Sequence, residues 1–286
     1  MLRPDEPVTL SDEMFRLLRD FFHDYCGIFF DEGSKYLFEK RLARRLKVLH
    51  IGDFKEYYRF LRYDRRKEEE LVNVMDVLTV NETYFFREQR QLDAFSKEIL
   101  PELREKRHKT RRIRIWSAGC STGEEPYTLA MLVMEDPAFN GWDVQILGSD
   151  INQRVLGVAR LGVYRQNSFR TINDYYLRKY FEPEEDGSYR IVDNVKRYVS
   201  FGNLNILDPV KVRLLEPMDI VFCRNVVIYF DLSAKKKVIA HFHDRLADAG
   251  WLLLGHSESL MNISTAFALR HLKHDMVYQK AVEPGP

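Results

Sequence analysis

The periodicity of the apolar residues changes near Ile113, and that change limits what the chain can fold into. Before it, apolar residues recur at intervals of three and four: Met14, Leu17, Leu18 and Phe21, then Phe38, Leu42, Leu46 and Leu49, then Phe54, Tyr57, Tyr58 and Leu61. That spacing lines one face of each of several helices. Ser11, ahead of Asp12 and Glu13, reads as an N-cap, and Gly52 as a helix stop. Beyond Ile113, short β-branched runs alternate with helical stretches, the pattern of an α/β domain with a largely parallel sheet. The expected organisation is an all-helical domain over residues 1–90, a linker helix and charged connection over 91–110, and an α/β domain over 111–286. Within it, Glu102 to Arg114 reads as a solvated connection. A chain of 286 residues can bury a core in each of two domains.

The strand candidates are IRIWSA (113–118), VQILGSD (144–150), YVSFGNL (198–204), DIVFCRN (219–225) and WLLLGH (251–256). FALRHL and MVYQKA follow closely enough to form an antiparallel hairpin at the sheet edge, with His274 and Asp275 between them. Residues 151–197 are far more than the ~10–15 residues a crossover helix needs. An inserted β-subdomain is expected at about 160–197, with GSYRIV among its strands.

Composition narrows the function. Forty-four Lys and Arg against 43 Asp and Glu leave a net charge of +1, so nothing global argues for nucleic acid as a partner. No apolar run approaches the ~20 residues of a membrane span, and the start MLRPDEPVTLSDEMF lacks the apolar core of a secretory signal. Cys26, Cys120 and Cys223 are scattered and form no CxxC pair, which fits a reducing cytoplasm better than a disulfide framework or a zinc site. The eight histidines are scattered too, and no metal is expected; His241 and His243 would point to different faces of a helix.

The turn Ser117-Ala118-Gly119-Cys120-Ser121-Thr122-Gly123 follows a strand and opens a helix, where glycine lets a ligand approach the backbone. Asp150 ends the next strand, where an acidic side chain can accept both hydroxyls of a nucleotide ribose; a strand-end Asp can also simply cap a helix. GxGxxG is absent, and Glu124 and Glu125 follow the last glycine directly. Two carboxylates there would repel a pyrophosphate. They suit a ligand carrying an ammonium group, such as S-adenosylmethionine, although both could merely complement the helix dipole.

Five segments then carry a resemblance. They are Asn81-Glu82-Thr83-Tyr84-Phe85-Phe86-Arg87-Glu88, Trp116 through Tyr127, Ser149-Asp150-Ile151, Phe222-Cys223-Arg224-Asn225-Val226-Val227-Ile228-Tyr229-Phe230, and Gly255-His256-Ser257-Glu258. In order and spacing they resemble the motif set of the CheR chemotaxis receptor methyltransferases, over residues ~10–280. The resemblance implies a Rossmann-like methyltransferase domain with a mostly parallel seven-stranded sheet and an antiparallel last strand. A helical N-terminal domain and an inserted β-subdomain would accompany it.

By the same resemblance, S-adenosylmethionine is the cofactor, S-adenosylhomocysteine the product and receptor glutamates the acceptors. Asn81, Thr83 and Arg87 would close the cofactor site, with Ala118 and Gly119 beneath it. Glu125 would take the ammonium and Asp150 the ribose, and Asn205-Ile206 and Arg224-Asn225 would flank the adenine and the methionine end. Arg87 and Tyr229 would face the transferred methyl group. Tyr84, Phe85, Phe86 and Cys223 read as packing residues.

Lys40, Arg41, Arg44, Arg45 and Lys47 crowd one predicted helix and offer an anionic receptor bundle a docking face, if they are more than a solvated surface. A monomer is expected. Relatives that tether to a receptor C-terminal peptide have a Gly-rich loop in the inserted subdomain. Here the loop is acidic and shorter, with Glu182, Glu184, Glu185 and Asp186, so tethering is not expected. The remaining alternatives are a methyltransferase acting on a small molecule or nucleic acid, and a non-catalytic module that senses S-adenosylmethionine.

Overall fold

The computed structural model describes residues 8–281. Four helices come first: α1 (Asp12–Cys26), α2 (Lys35–Leu49), α3 (Phe54–Tyr63) and α4 (Lys67–Leu78). Their apolar stripes meet in one core that includes Phe15, Phe22, Phe38, Leu42, Leu46 and Tyr57. The Ser11 hydroxyl accepts from Met14 N–H as the expected N-cap, and Gly27 closes α1 in the left-handed region. Gly52 is not the stop of α2. His50 ends that helix at φ 56°, while Gly52 N–H, one residue before the N-cap Asp53, donates to Glu56 in the first turn of α3.

The connection between the domains is shorter and more helical than expected. Residues 89–106 run as α5 (Gln89–Ala94), a π-turn (Phe95–Ile99) and α6 (Leu100–Lys106). Leu100 N–H reaches back to the Phe95 carbonyl, one residue further than in an α-helix, and Pro101 follows in the first turn of α6, where its missing N–H is tolerated. Only residues 107–111 connect α6 to β1 (Arg112–Ala118).

The remaining elements are α7 (Glu124–Met134), β2 (Asp143–Asp150), α8 (Gln153–Leu161), β3 (Val163–Tyr164), α9 (Asp174–Tyr180), β4 (Phe181–Pro183), β5 (Tyr189–Ile191), α10 (Asp193–Lys196) and β6 (Val199–Asn203). Then come α11 (Pro209–Arg213), β7 (Met218–Cys223), α12 (Leu232–Arg245), β8 (Leu246–Leu254), β9 (Phe267–His271) and β10 (Met276–Lys280). The main sheet has seven strands in the order β6-β2-β1-β7-β8-β10-β9, and β10 is antiparallel to both its neighbours. The central strands bury both faces, as a sheet covered by helices on either side must: β7 is buried along its whole length. The inserted β-subdomain is a three-stranded antiparallel sheet, β3-β5-β4.

The helical domain seats on the sheet's C-terminal edge through hydrogen bonds to backbone and side chain. Asn205 donates to the Tyr25 carbonyl at 2.6 Å, Ile28 bridges to Phe230, and Asn152 donates to Thr79 Oγ1 at 2.8 Å. A cleft is left between the two.

Candidate active site

The cleft, about 350 Å³, lies against the C-terminal ends of β1, β2 and β7, where α/β sheets place their ligands. Its floor is the turn after β1. Gly119 has φ 81°, and a side chain there would run into Val226. Gly123 has φ 92°, and a Cβ would come within 2.8 Å of Ala159 Cβ. Both positions therefore require glycine.

Asp150 is buried at the end of β2. Its Oδ2 accepts from Ser121 N–H at 2.8 Å and its Oδ1 from Asn152 N–H at 2.9 Å. Burial raises its carboxyl above the ordinary value, and the backbone donors oppose the rise. One lone pair on each oxygen remains for a diol.

The two glutamates opening α7 do different things. Glu124 turns away from the cleft, accepting from Thr122 Oγ1 at 2.6 Å and from Ser168 Oγ at 2.9 Å, and so fastens the turn to the inserted subdomain. Glu125 lines the cleft, with Oε1 accepting from Ser117 Oγ at 2.7 Å and Oε2 from Arg224 Nη1 at 3.2 Å. Burial raises its carboxyl, and Arg224 and Ser117 partly offset this.

Arg224, at the end of β7, is itself buried. It also reaches Glu88 at 3.2 Å and the Arg87 carbonyl. One guanidinium thus faces two carboxylates, and the Arg87 charge is also felt at Glu125. Beside it Asn225, at φ 59°, lines the cleft with its Oδ1 buried and without a hydrogen-bond partner. An orphaned acceptor beside the Glu125 carboxylate, and a diol-ready carboxylate at Asp150, fit the ammonium and ribose of S-adenosylmethionine.

Comparison with known proteins agrees with the geometry. Residues 13–79 match the family model described as "CheR methyltransferase, all-alpha domain" and residues 81–276 the model "CheR methyltransferase, SAM binding domain". The chain belongs to the CheR methyltransferase family. Among its relatives is chemotaxis protein methyltransferase 2 of Vibrio cholerae, 37% identical with 96% of this chain and 94% of the relative covered. The chemotaxis protein methyltransferase of Borreliella burgdorferi is 38% identical over 87% of this chain and 89% of its own. That of Salmonella typhimurium is 32% identical over 94% and 92%.

In this CheR-family chain the loop from Asn81 to Glu88 forms one wall of the cleft. Asn81, Thr83 and Arg87 line it, and the Asn81 carbonyl accepts from Ser121 Oγ at 3.0 Å. The loop is held by Phe85, fully buried and stacked on Phe169 at 5.4 Å, and by Phe86 against Tyr176. Phe86 and Glu88 both sit at positive φ, 57° and 60°, on either side of Arg87. That double strain, of roughly 1–2 kcal/mol per residue, persists because the aromatic anchors overdetermine the loop. Arg87 donates to the Glu82 carbonyl and lies 5.5 Å from the Tyr84 ring.

Asn205, Ile206 and Tyr229 also line the cleft, and Tyr229 is exposed at its mouth. Ala118 does not line it; it is buried in the sheet behind the turn, packed with Val221 and Leu252. The five cations of α2 divide. Lys40, Arg44 and Lys47 are exposed on the outer face, with Tyr36, Leu37 and Val48. Arg41 and Arg45 do not share it, which corrects the expected patch. Arg41 donates to the Leu78 carbonyl at 2.8 Å, and Arg45 pairs with the buried Glu70 at 3.0 Å. Two residues that shape the site carried no role in the sequence reading, Glu88 and Glu258. Both act on other groups of the protein, so only their places in the quoted motifs marked them.

Among the described residues no cluster of His, Cys, Asp and Glu could hold a metal, and no helix is long and apolar enough to cross a membrane.

Proposed function

We propose that the protein transfers the methyl group of S-adenosylmethionine to glutamate side chains in the cytoplasmic helical bundle of chemotaxis receptors. The observation that supports the cofactor is the pairing of a diol-ready buried Asp150 with the Glu125, Arg224 and Asn225 end of the same cleft, and the family match supports the receptor acceptor. The cofactor supplies an electrophilic methyl on a sulfonium. Glu125, oriented by Ser117, would take the ammonium, Asp150 the ribose hydroxyls, and Asn205 and Ile206 the adenine. Asn81 and Thr83 close the site from the helical domain.

A glutamate acceptor is ionised at neutral pH, so no general base is needed. The protein's task is to align and to exclude water while two opposite charges annihilate. Arg87 aligns the carboxylate from the strained loop, and Tyr229 lines the approach at the mouth. A tight Arg87 pair would stabilise the ground state, so its hold on the Glu82 carbonyl is compatible with a loose, steering contact.

Lys40, Arg44 and Lys47 form the proposed docking face for the acidic bundle, flanked by the exposed apolar residues of α2. We infer also that no receptor C-terminal peptide tethers the enzyme. The edge strand β4 supports this: Tyr180 O accepts from Val192 N–H and Glu184 N–H donates to Ser188 O on either side of β5, which leaves the backbone groups of Phe181 and Pro183 facing outward, and Pro183 has no N–H. The acidic loop repels a peptide carboxylate less than the sequence implied, because Glu184 pairs with Arg190, and Asp186 accepts from Ser188 and lies 3.7 Å from Arg165. Calorimetry with S-adenosylhomocysteine tests the cofactor assignment: wild type binds, and a folded Asp150→Ala protein binds far more weakly. Equal affinities would remove it.

A further inference from the structure

The Gly255-His256-Ser257-Glu258 segment lies beyond the cofactor turn, yet Glu258 converges on the cleft through the backbone. Its Oε1 accepts from Val226 N–H at 3.0 Å and Ile228 N–H at 3.1 Å. Its Oε2 accepts from Asn225 N–H at 2.9 Å and Gly255 N–H at 2.7 Å. Four main-chain donors thus meet one carboxylate, and three of them belong to the loop that carries Arg224, Asn225 and Tyr229.

That loop has no regular structure to hold it before the short turn at Val227–Tyr229. It contains a non-glycine residue in the left-handed region, Asn225 at φ 59°. Val226 packs against the turn so closely that Gly119 admits no side chain. The loop's conformation is therefore not the one its backbone would choose alone, and it needs an external acceptor to fix it. A carboxylate with two oxygens, each taking two N–H groups, does this where a neutral side chain would not.

We propose that Glu258 is a positioning residue for methyl transfer: it fixes the loop after β7, so that Asn225 faces the cofactor end of the cleft and Tyr229 its mouth. The inference rests on the methyltransferase reading of the cleft. Glu258 touches neither cofactor nor substrate in this account; it acts through Asn225 and its neighbours.

Substitution by glutamine makes the test sharp. Glu258→Gln preserves size, but either orientation of the amide sets an NH₂ group against two N–H donors. The Gln variant should bind S-adenosylhomocysteine at least about tenfold more weakly and lose turnover on receptor as well, since small displacements of aligned groups have effects of that order or larger. Glu258→Asp, which keeps the charge on a shorter arm, should fold and recover part of the loss. Adding Glu258→Gln to Asn225→Ala should weaken binding by less than the sum of the two single losses, because part of the Glu258 effect passes through the Asn225 side chain. A purely structural role would lower thermal stability and give additive losses in affinity.

Wild-type affinity and turnover in Glu258→Gln, or additive losses in the double variant, would overturn the proposal. Should Glu258→Gln fail to fold, wild-type affinity and turnover in Glu258→Asp would overturn it equally. Failure of the wild-type protein to bind S-adenosylhomocysteine would instead sink the reading of the cleft.

Discussion

Arg224 holds Glu125 at 3.2 Å from one side while Glu88, also at 3.2 Å, holds Arg224 from the other. The two pairs span the boundary between the sheet and the loop from the helical domain, so Arg224 ties the Glu125 end of the cleft to that loop. Removing the cation should therefore damage folding as well as binding. Arg224→Ala leaves two carboxylates facing each other in a buried site, and should destabilise the protein by about 3 kcal/mol in urea unfolding. Unchanged stability would mean that the bridge is slack in solution.

The pH dependence of binding follows from the two raised carboxyls. Burial lifts Glu125 above its ordinary 4.5 and Asp150 above its ordinary 3.8. The folded protein thus holds these protons more tightly than the unfolded chain. Their contribution to stability is full below the unfolded values and is lost as pH rises through the raised folded ones. Binding runs the opposite way, because an ammonium selects the ionised form of Glu125. Affinity for S-adenosylhomocysteine should climb as pH rises from 4.5, and Glu125→Gln should flatten that climb as well as weaken binding. Calorimetry across that range decides it, and an identical slope in the variant would contradict the assignment.

Arg87→Ala and Tyr229→Phe should lower turnover more than cofactor affinity, since both are assigned to the methyl end rather than to the adenosine. Steady-state kinetics beside direct binding measures the split. Equal losses would reduce both to binding residues.

Charge reversal on α2 should divide as the structure divides the cations. Lys40→Glu, Arg44→Glu and Lys47→Glu together should raise the KM for receptor several-fold, more at low salt, and leave cofactor binding intact. Arg45→Glu should instead unfold the helical domain, at about 3 kcal/mol or more, because it sets a second negative charge against the buried Glu70. Wild-type receptor kinetics in the triple variant would reduce the face to solvated surface.

A receptor lacking its C-terminal peptide should be methylated about as well as the intact one, and the isolated C-terminal pentapeptide should not bind measurably. Low-micromolar binding by titration would restore a tethered mode in spite of Pro183.

The helical stripes, the strand sequence and Asp150 at a strand end were legible because they depend on local spacing; of the two glutamates that open the helix after the glycine turn, only the resemblance singled out Glu125. The division of the α2 cations was legible in principle. Arg41 and Arg45 follow Phe38 and Leu42 by three residues and so flank the buried stripe, whereas Lys40, Arg44 and Lys47 fall opposite. The partner of Arg45 was not legible, since Glu70 lies on another helix. Gly52 misled because a glycine after a helix reads as a stop, and only the hydrogen bond to Glu56 assigns it to the next one. Glu88 and Glu258 escaped for a common reason. Their partners are a distant guanidinium and backbone N–H groups, which leave no trace in residue type.

Methyl transfer to a carboxylate makes an ester, and the alkali lability of that bond separates it from transfer to nitrogen or to an alcohol or phenol oxygen. Receptor-containing membranes incubated with the protein and methyl-labelled S-adenosylmethionine should gain label that mild alkali releases as methanol, as an ester must. The folded Asp150→Ala protein should add little. No incorporation into receptor by the wild-type protein, or label that survives alkali, would contradict the account.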